Sequence, residues 1–172
     1  IDGYPKEERN KFFNVGMTLA GDLYRSLLLR AIPKADSEII FISDSSESIT
    51  SKMLSNYNGI LWPGCSLSVM DDDWRVRKMI EICQVAFVKS IPQFGSCWAA
   101  QVAVTVAGGK VVENPNGREM GFARRIQVSD EGLNHPIYQN KPKVFDAFSS
   151  HEDHIIKTSS ENIKILSSNE FS

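Results

Sequence analysis

The run Ile91-Pro92-Gln93-Phe94-Gly95-Ser96-Cys97-Trp98-Ala99-Ala100-Gln101 restricts the fold of this chain more than any other stretch. Apolar, strand-forming residues lead into a Gly-x-Cys turn, and Trp98 to Ala107 follows with helical spacing and small side chains. This is the grammar of a nucleophile elbow. The reactive side chain stands on a tight strand-to-helix turn, and small neighbours let the backbone bend so that the next N–H points at a developing oxyanion. The helix N-terminus behind the sulfur favours thiolate over thiol. On this reading Cys97 is an activated nucleophile. The competing reading is a small hydrophobe packed at a strand end, because free cysteine is among the most buried residue types.

A chain of 172 residues fits one domain with a real core. Its net charge of -2 and 42% hydrophobic content show no basic field of the kind nucleic-acid binding demands, so nucleic acid is not an expected partner. The longest apolar runs fall well short of the roughly 18 residues a membrane helix needs, and no charged-apolar-small leader opens the chain. A cytoplasmic location is expected, with no membrane contact. Cys65, Cys83 and Cys97 are too few and too scattered for a disulfide framework, which agrees with a reducing compartment. No metal cluster, phosphate loop or dinucleotide fingerprint is present, so no cofactor is expected.

Taken in order, residues 5–10 read as a polar loop and Phe12 to Ile32 as one amphipathic helix, with Met17, Ala20, Leu23, Leu27 and either Leu28 or Ala31 on its apolar face. Ser37 to Ser43 reads as a buried strand, Asp44 to Ser51 as loop, Ile49 to Asn56 as a short helical turn, and Tyr57 to Trp62 as a second central strand. Asp71-Asp72-Asp73 places carboxylates at the start of a helix beginning at Trp74, where negative charge is favoured. Trp74, Val76, Met79, Ile80, Cys83 and Phe87 form its expected core face, which gives Cys83 a packing role. After the elbow, Gly108-Gly109 caps the helix. Lys110 to Glu113, Ala123 to Val128, Lys143 to Ala147 and Ile163 to Leu166 read as strands, with a polar loop around Asn134-His135-Pro136. The expected architecture is α/β: a three-layer, flavodoxin-like sandwich with a mainly parallel central sheet and an antiparallel edge extension. Ligands of such a sheet bind at the carboxyl ends of its strands, where Trp62-Pro63-Gly64 and Gly95-Ser96-Cys97 both fall.

Acyl transfer through a thiol needs a thiolate, two oxyanion donors, a base with an orienting carboxylate, and groups that seat the substrate. The Trp98 N–H supplies one donor by elbow geometry. Gly64 at the end of the neighbouring strand offers the second, its plainer reading being a turn after Pro63. Gln101, one turn past Cys97, faces the same pocket or stands on the helix surface.

Gly95-Ser96-Cys97-Trp98-Ala99-Ala100-Gln101 resembles the G-x-C-x-G-x-Q signature of class I glutamine amidotransferase domains, with Ala99 in place of the second glycine. Asn58 to Val69 resembles the family's strand and oxyanion loop, Glu119-Met120-Gly121-Phe122 its glutamate-x-glycine-aromatic segment, and Ser150-His151-Glu152-Asp153-His154-Ile155 its histidine-x-aspartate turn. Asp71-Asp72-Asp73-Trp74 is similar to the γ-glutamyl peptidase and GMP-synthase-like branch. The four blocks cover about residues 57 to 155 in the family's order.

The resemblance implies a single amidotransferase-like domain over 1–172. In it Cys97 attacks the side-chain amide of glutamine or a γ-glutamyl compound to give a γ-glutamyl thioester. Gly64 and Trp98 form the oxyanion hole, Gln101 and His151 bind substrate, and a synthase partner receiving ammonia is possible. The family's base is a histidine in an H-P-E sequence, which this chain lacks, because its His135-Pro136 is followed by Ile137. By chain order that base is expected beyond Ser172, and a first strand before Ile1. His151 with Asp153 is the alternative base on paper, and His154 reads as surface. Two rival functions remain: a ThiJ/PfpI-type cysteine hydrolase, which usually carries a histidine directly after its cysteine where Trp98 stands here, and a non-catalytic binding or regulatory module on the same fold.

Overall fold

The computed structural model describes residues 1–44, 49–156 and 163–171; residues 45–48 of the expected 44–51 loop lie outside them. Helix α1 (Lys6–Asn14) begins directly after Pro5 and carries Glu7 and Glu8 in its first turn, where carboxylates meet the positive helix end. It closes at Gly16, whose φ is +77°. The Gly16 N–H donates to the Phe13 carbonyl at 3.0 Å and the Met17 N–H to the Phe12 carbonyl at 2.9 Å, the paired bonds that end a helix through a left-handed residue. The expected loop at 5–10 is therefore mostly helix, and the single helix expected over 12–32 is two.

Helix α2 (Ala20–Ala31) also turns a different face inward than its periodicity suggests. Leu23 and Leu27 are 56% and 50% exposed, whereas Gly21, Tyr24 and, of the two expected alternatives, Leu28 lie on the covered side. Gly21 decides this. A Cβ there would come within 2.8 Å of the Ile39 side chain and 3.3 Å of the Asp2 carboxylate, so only glycine lets the helix seat this closely.

The first unit, Ile1–Ala103, is built on parallel backbone pairing. The Asp2 N–H donates to the Ile40 carbonyl (2.9 Å), and the Ile42 N–H donates to the Asp2 carbonyl (3.1 Å). Ile40 and Ile42 are buried, so the 37–43 run is a core segment as expected, although among the described residues it makes only one parallel bridge, Asp2 to Phe41. On the other side the Ile1 nitrogen donates to the Leu61 carbonyl at 2.7 Å. Leu61 belongs to β1 (Ile60–Trp62), which pairs in parallel with β2 (Gln93–Gly95), Trp62 opposite Gly95.

Helix α3 (Ser51–Leu54) is capped by Thr50, and α4 (Trp74–Val88) by Asp73, whose carboxylate accepts the Arg75 N–H at 2.8 Å. Val76, Met79, Ile82, Cys83 and Ala86 form the buried stripe of α4. Trp74 and Phe87 are about half exposed, against expectation, because they stand at the ends of the helix, off that stripe. Burial of Leu54, Val76 and Met79 contributes about 1.5–3 kcal/mol each.

Helix α5 (Trp98–Val106) contains the division between the units and ends at Gly108, whose φ of +84° and the bond from Gly109 N–H to the Val104 carbonyl (2.8 Å) make the expected cap. The second unit, Val104–Ser172, is antiparallel. Strand β3 (Lys110–Glu113) pairs with β6 (Asp153–Ile156); β4 (Glu119–Val128) pairs with β5 (Val144–His151) and, at its end, with β7 (Ser167–Ser168). β4 begins four residues earlier than expected, and β5 begins one residue later and ends four residues later than expected. The last strand is displaced from 163–166 to 167–168, because Leu166 instead accepts the Ser129 N–H at 2.9 Å. The loop around His135 holds helix α6 (Asp130–Leu133), capped by Ser129, and one 3-10 turn, Pro136–Tyr138. The architecture is mixed α/β.

Candidate active site

The elbow is fixed by what its residues lack as much as by what they carry. A Cβ on Gly95 would lie 2.5 Å from the Ala99 Cβ and 3.1 Å from the Trp62 Cβ, so strand β2 and helix α5 approach this closely only because residue 95 is glycine. The Ser96 N–H donates to the Trp62 carbonyl (3.3 Å), and the Ser96 carbonyl accepts the Ala99 N–H (3.1 Å). Between them Cys97 takes a φ of +54°, the left-handed region that L side chains rarely occupy. The thiol is exposed.

Gly64 stands against this side chain. A Cβ on it would be 3.5 Å from the Cys97 Cβ and 3.8 Å from the Sγ, so the backbone of Gly64 borders the sulfur. Its φ is not left-handed; nearness to the sulfur is what residue 64 brings. At the head of α5, Ala99, Ala100 and Gln101 N–H groups are taken by the carbonyls of Ser96 and Cys97, while the Trp98 N–H meets no acceptor among the described residues. The Trp98 side chain is buried, and its indole N–H likewise has no acceptor among the described residues. Gln101 is buried, so it is not a surface residue of α5.

The other two thiols are held differently. Burial pushes Cys65 up to about 11, against hydrogen bonds from the Leu67 and Ser66 backbone that pull it down. Burial likewise pushes Cys83 up to about 11, partly offset by the Gln93 side chain. Tyr4 is half-buried near the Cys65 and Cys97 sulfurs, and burial first, then those thiols, raise its hydroxyl pKa. The Tyr24 hydroxyl of α2 is hydrogen-bonded to the Ser96 Oγ. Two cavities of this unit, about 110 and 730 Å³, lie along α2 and the entries to β1 and β2, lined by Leu28, Glu38, Tyr57 and Gly59 among others; Cys97 lines neither.

In the second unit the Glu119 carboxylate, buried at the start of β4, accepts from the Ser149 hydroxyl (2.7 Å), the Asn169 amide (2.9 Å) and the His151 Nε2 (2.8 Å). Burial opposes its charge, yet those three donors outweigh burial and hold the carboxyl below its ordinary value. The His151 Nδ1 lies 3.1 Å from the Asp153 backbone carbonyl. The carboxylate on this imidazole is thus that of Glu119, and Asp153 meets the ring through its main chain. His154, expected at the surface, is half-buried in β6 and its Nδ1 has no partner among the described residues. Among the described residues no group of three His, Cys, Asp or Glu side chains is placed to hold a metal ion, and no helix is long and apolar enough to cross a membrane.

Residues 20–172 match the model of the family described as glutamine amidotransferase class-I. The chain belongs to that family.

Among amidotransferase relatives, it is 30% identical over 159 residues to a gamma-glutamyl-L-1-hydroxyisopropylamide hydrolase of Pseudomonas sp, covering 91% of this chain and 54% of that protein. It is 32% identical over 102 residues to a glutamine-hydrolyzing GMP synthase of Neisseria meningitidis serogroup C, covering 59% of this chain and 18% of that one. The chain therefore spans about half the length, or less, of these curated relatives. The fold is that of glutamine amidotransferases from Methylobacillus flagellatus (TM-score 0.70, 17% identity, 86% of this chain and 56% of the other) and Thermotoga maritima (TM-score 0.69, 15% identity, 89% and 63%). The matched family is not the ThiJ/PfpI alternative.

Sequence reasoning brought Cys97, Gly64, Trp98 and Gln101 to one place, and the structure holds all four in the first unit, with His151 in the second. It passed over Tyr24, whose position one helical turn after Gly21 was the available signal.

Proposed function

We propose that the chain carries the glutaminase half-site of a class I amidotransferase and that Cys97 is its nucleophile. The observation that carries this reading is the exposed Cys97 thiol, held at φ +54° between β2 and α5 with the Gly64 backbone beside it.

The Cys97 thiol loses its proton to a general base, and the sulfur adds to the side-chain amide carbon of glutamine or a γ-glutamyl compound. The carbonyl π pair moves to oxygen, where the Gly64 and Trp98 N–H groups stabilise it. Collapse breaks the C–N bond, the amine leaves with the proton the base had taken, and a γ-glutamyl thioester remains. Water then adds and releases glutamate. Gln101 seats the substrate, and the core is arranged as a flavodoxin-like, three-layer sandwich. The likeness over 91% of this chain to a hydrolase named for a γ-glutamyl amide, against one over 59% to GMP synthase, favours γ-glutamyl amides as substrates over delivery of ammonia to a synthase partner.

The test is amine release from a panel of γ-glutamyl amides and from glutamine. Cys97→Ala is expected to lower the rate on the order of a thousandfold or more with the fold intact, as loss of a covalent nucleophile does. Full activity in that variant ends the proposal.

A further inference from the structure

We propose that Tyr24 is a positioning residue for the nucleophile, acting through Ser96; this rests on the reading of Cys97 as the reacting thiol. Ser96 is held from three sides. Its N–H donates to Trp62 of β1, its carbonyl accepts from Ala99 of α5, and its Oγ is hydrogen-bonded to the Tyr24 hydroxyl of α2. The first two bonds go to the neighbouring strand β1 and to the helix of the elbow itself. The third comes from an element 72 residues away in sequence and is the tie that joins α2 to the turn.

The origin of that tie is a buried carboxylate. Asp2 is fully buried and its Oδ2 accepts the Gly21 N–H at 3.0 Å, in the first turn of α2, where a negative charge meets the positive end of the helix. Gly21 has no Cβ, so the helix sits directly on Asp2 and Ile39. One turn later on the same covered side, Tyr24 reaches Ser96. Asp2 is itself bonded on both sides of its backbone to the 40–42 segment, so the hydroxyl of Tyr24 is delivered from a rigid base.

The consequence lies at the next residue. A left-handed backbone at a non-glycine residue persists only where its surroundings over-determine it. Cys97 has a neighbour on each side, and Ser96 is the one fixed by a side chain from outside the elbow. With the Tyr24–Ser96 bond in place the sulfur stays beside the Gly64 backbone. Without it the turn relaxes and the thiol samples positions away from Gly64.

The experiment compares iodoacetamide alkylation of Cys97, Cys65 and Cys83, each followed by peptide mapping, in the 172-residue chain and in Tyr24→Phe, Ser96→Ala, the double variant and Ser96→Thr. A single hydrogen bond lost from a positioned group corresponds to a threefold to tenfold change, roughly. Each of the first two variants is expected to slow Cys97 by about that factor, the double variant to be no slower than the worse single one, and Ser96→Thr to restore most of the rate lost in Ser96→Ala. The Cys83 rate and the melting temperature stay close to those of the parent. Unchanged Cys97 rates, additive losses in the double variant, no recovery in Ser96→Thr, or a parallel rise in Cys83 labelling each overturn the proposal. If Cys97 in the parent chain reacts no faster than Cys65, the nucleophile assignment itself fails, which separates the two readings.

Discussion

The Nε2 of His151 and the Oε2 of Glu119 stand 2.8 Å apart, at the ends of two antiparallel strands whose register places the two residues directly opposite each other. The pair belongs to a small polar centre in the second unit, completed by Ser149 and Asn169. Because Glu119 is buried, its stabilising value depends on those donors and on its charge.

Glu119→Ala removes the buried carboxylate that Ser149, Asn169 and His151 share as acceptor. A loss of about 1–3 kcal/mol is expected, the penalty for unsatisfied buried polar groups, which in a chain of this length lowers the melting temperature by about 2–4 °C per kcal/mol. Thermal unfolding followed by circular dichroism measures it.

The charge of Glu119 has a definite pH signature. Its folded carboxyl titrates below the ordinary 4.5, so its contribution to stability is fully present above about that pH and is lost as pH falls through the lower folded value. The stability gap between the parent chain and Glu119→Gln is expected to be widest at neutral pH and to close in acid. A gap that widens on acidification has the wrong sign for this account. Urea unfolding at pH 7, 5 and 3 decides it.

Gly95→Ala drives a Cβ to 2.5 Å from that of Ala99, inside any real contact. β2 and α5 must part, at a cost of about 1–3 kcal/mol, and the elbow dihedral at Cys97 is expected to relax with them. Both the melting temperature and the Cys97 labelling rate should drop in this variant.

Gly64→Ala separates fold from function in the same region. Its new Cβ would make ordinary contact with Cys97, at 3.5 and 3.8 Å, so stability should change by less than about 0.5 kcal/mol. In the proposed reaction the methyl occupies the space beside the sulfur where the tetrahedral adduct would form. Amide cleavage is expected to fall by at least about tenfold while the melting temperature holds, as measured by amine release from a γ-glutamyl amide.

Much of this was legible along the chain, and the failures have physical causes. The β2-turn-α5 unit and the edges of β3 were readable because their signals are local: a β-leaning run, Gly95, a helical period, a Gly108-Gly109 stop. Gly16 carried the same kind of signal, yet the apolar period running from Phe12 to Ala31 concealed it. Leu23 and Leu27 misled because periodicity identifies a stripe without saying what covers it, and the tight seat at Gly21 chose the other face. The Ala99 that replaces the family's second glycine is accommodated because Gly95 opposite it has no side chain. The bonds of Tyr24 to Ser96 and of Asn169 to Glu119 join residues 72 and 50 positions apart, and no local pattern announces such pairs.

The central claim is tested most directly by treating the folded chain at neutral pH with a glutamine-like chloroketone and locating the adduct by intact mass and peptide mapping. Burial raises Cys65 and Cys83 to about 11, so both are expected to remain unmodified under these conditions. The account predicts a single adduct on Cys97, suppressed by excess γ-glutamyl amide. Modification of Cys65 or Cys83 in preference to Cys97, or labelling of Cys97 that no γ-glutamyl compound suppresses, would contradict it.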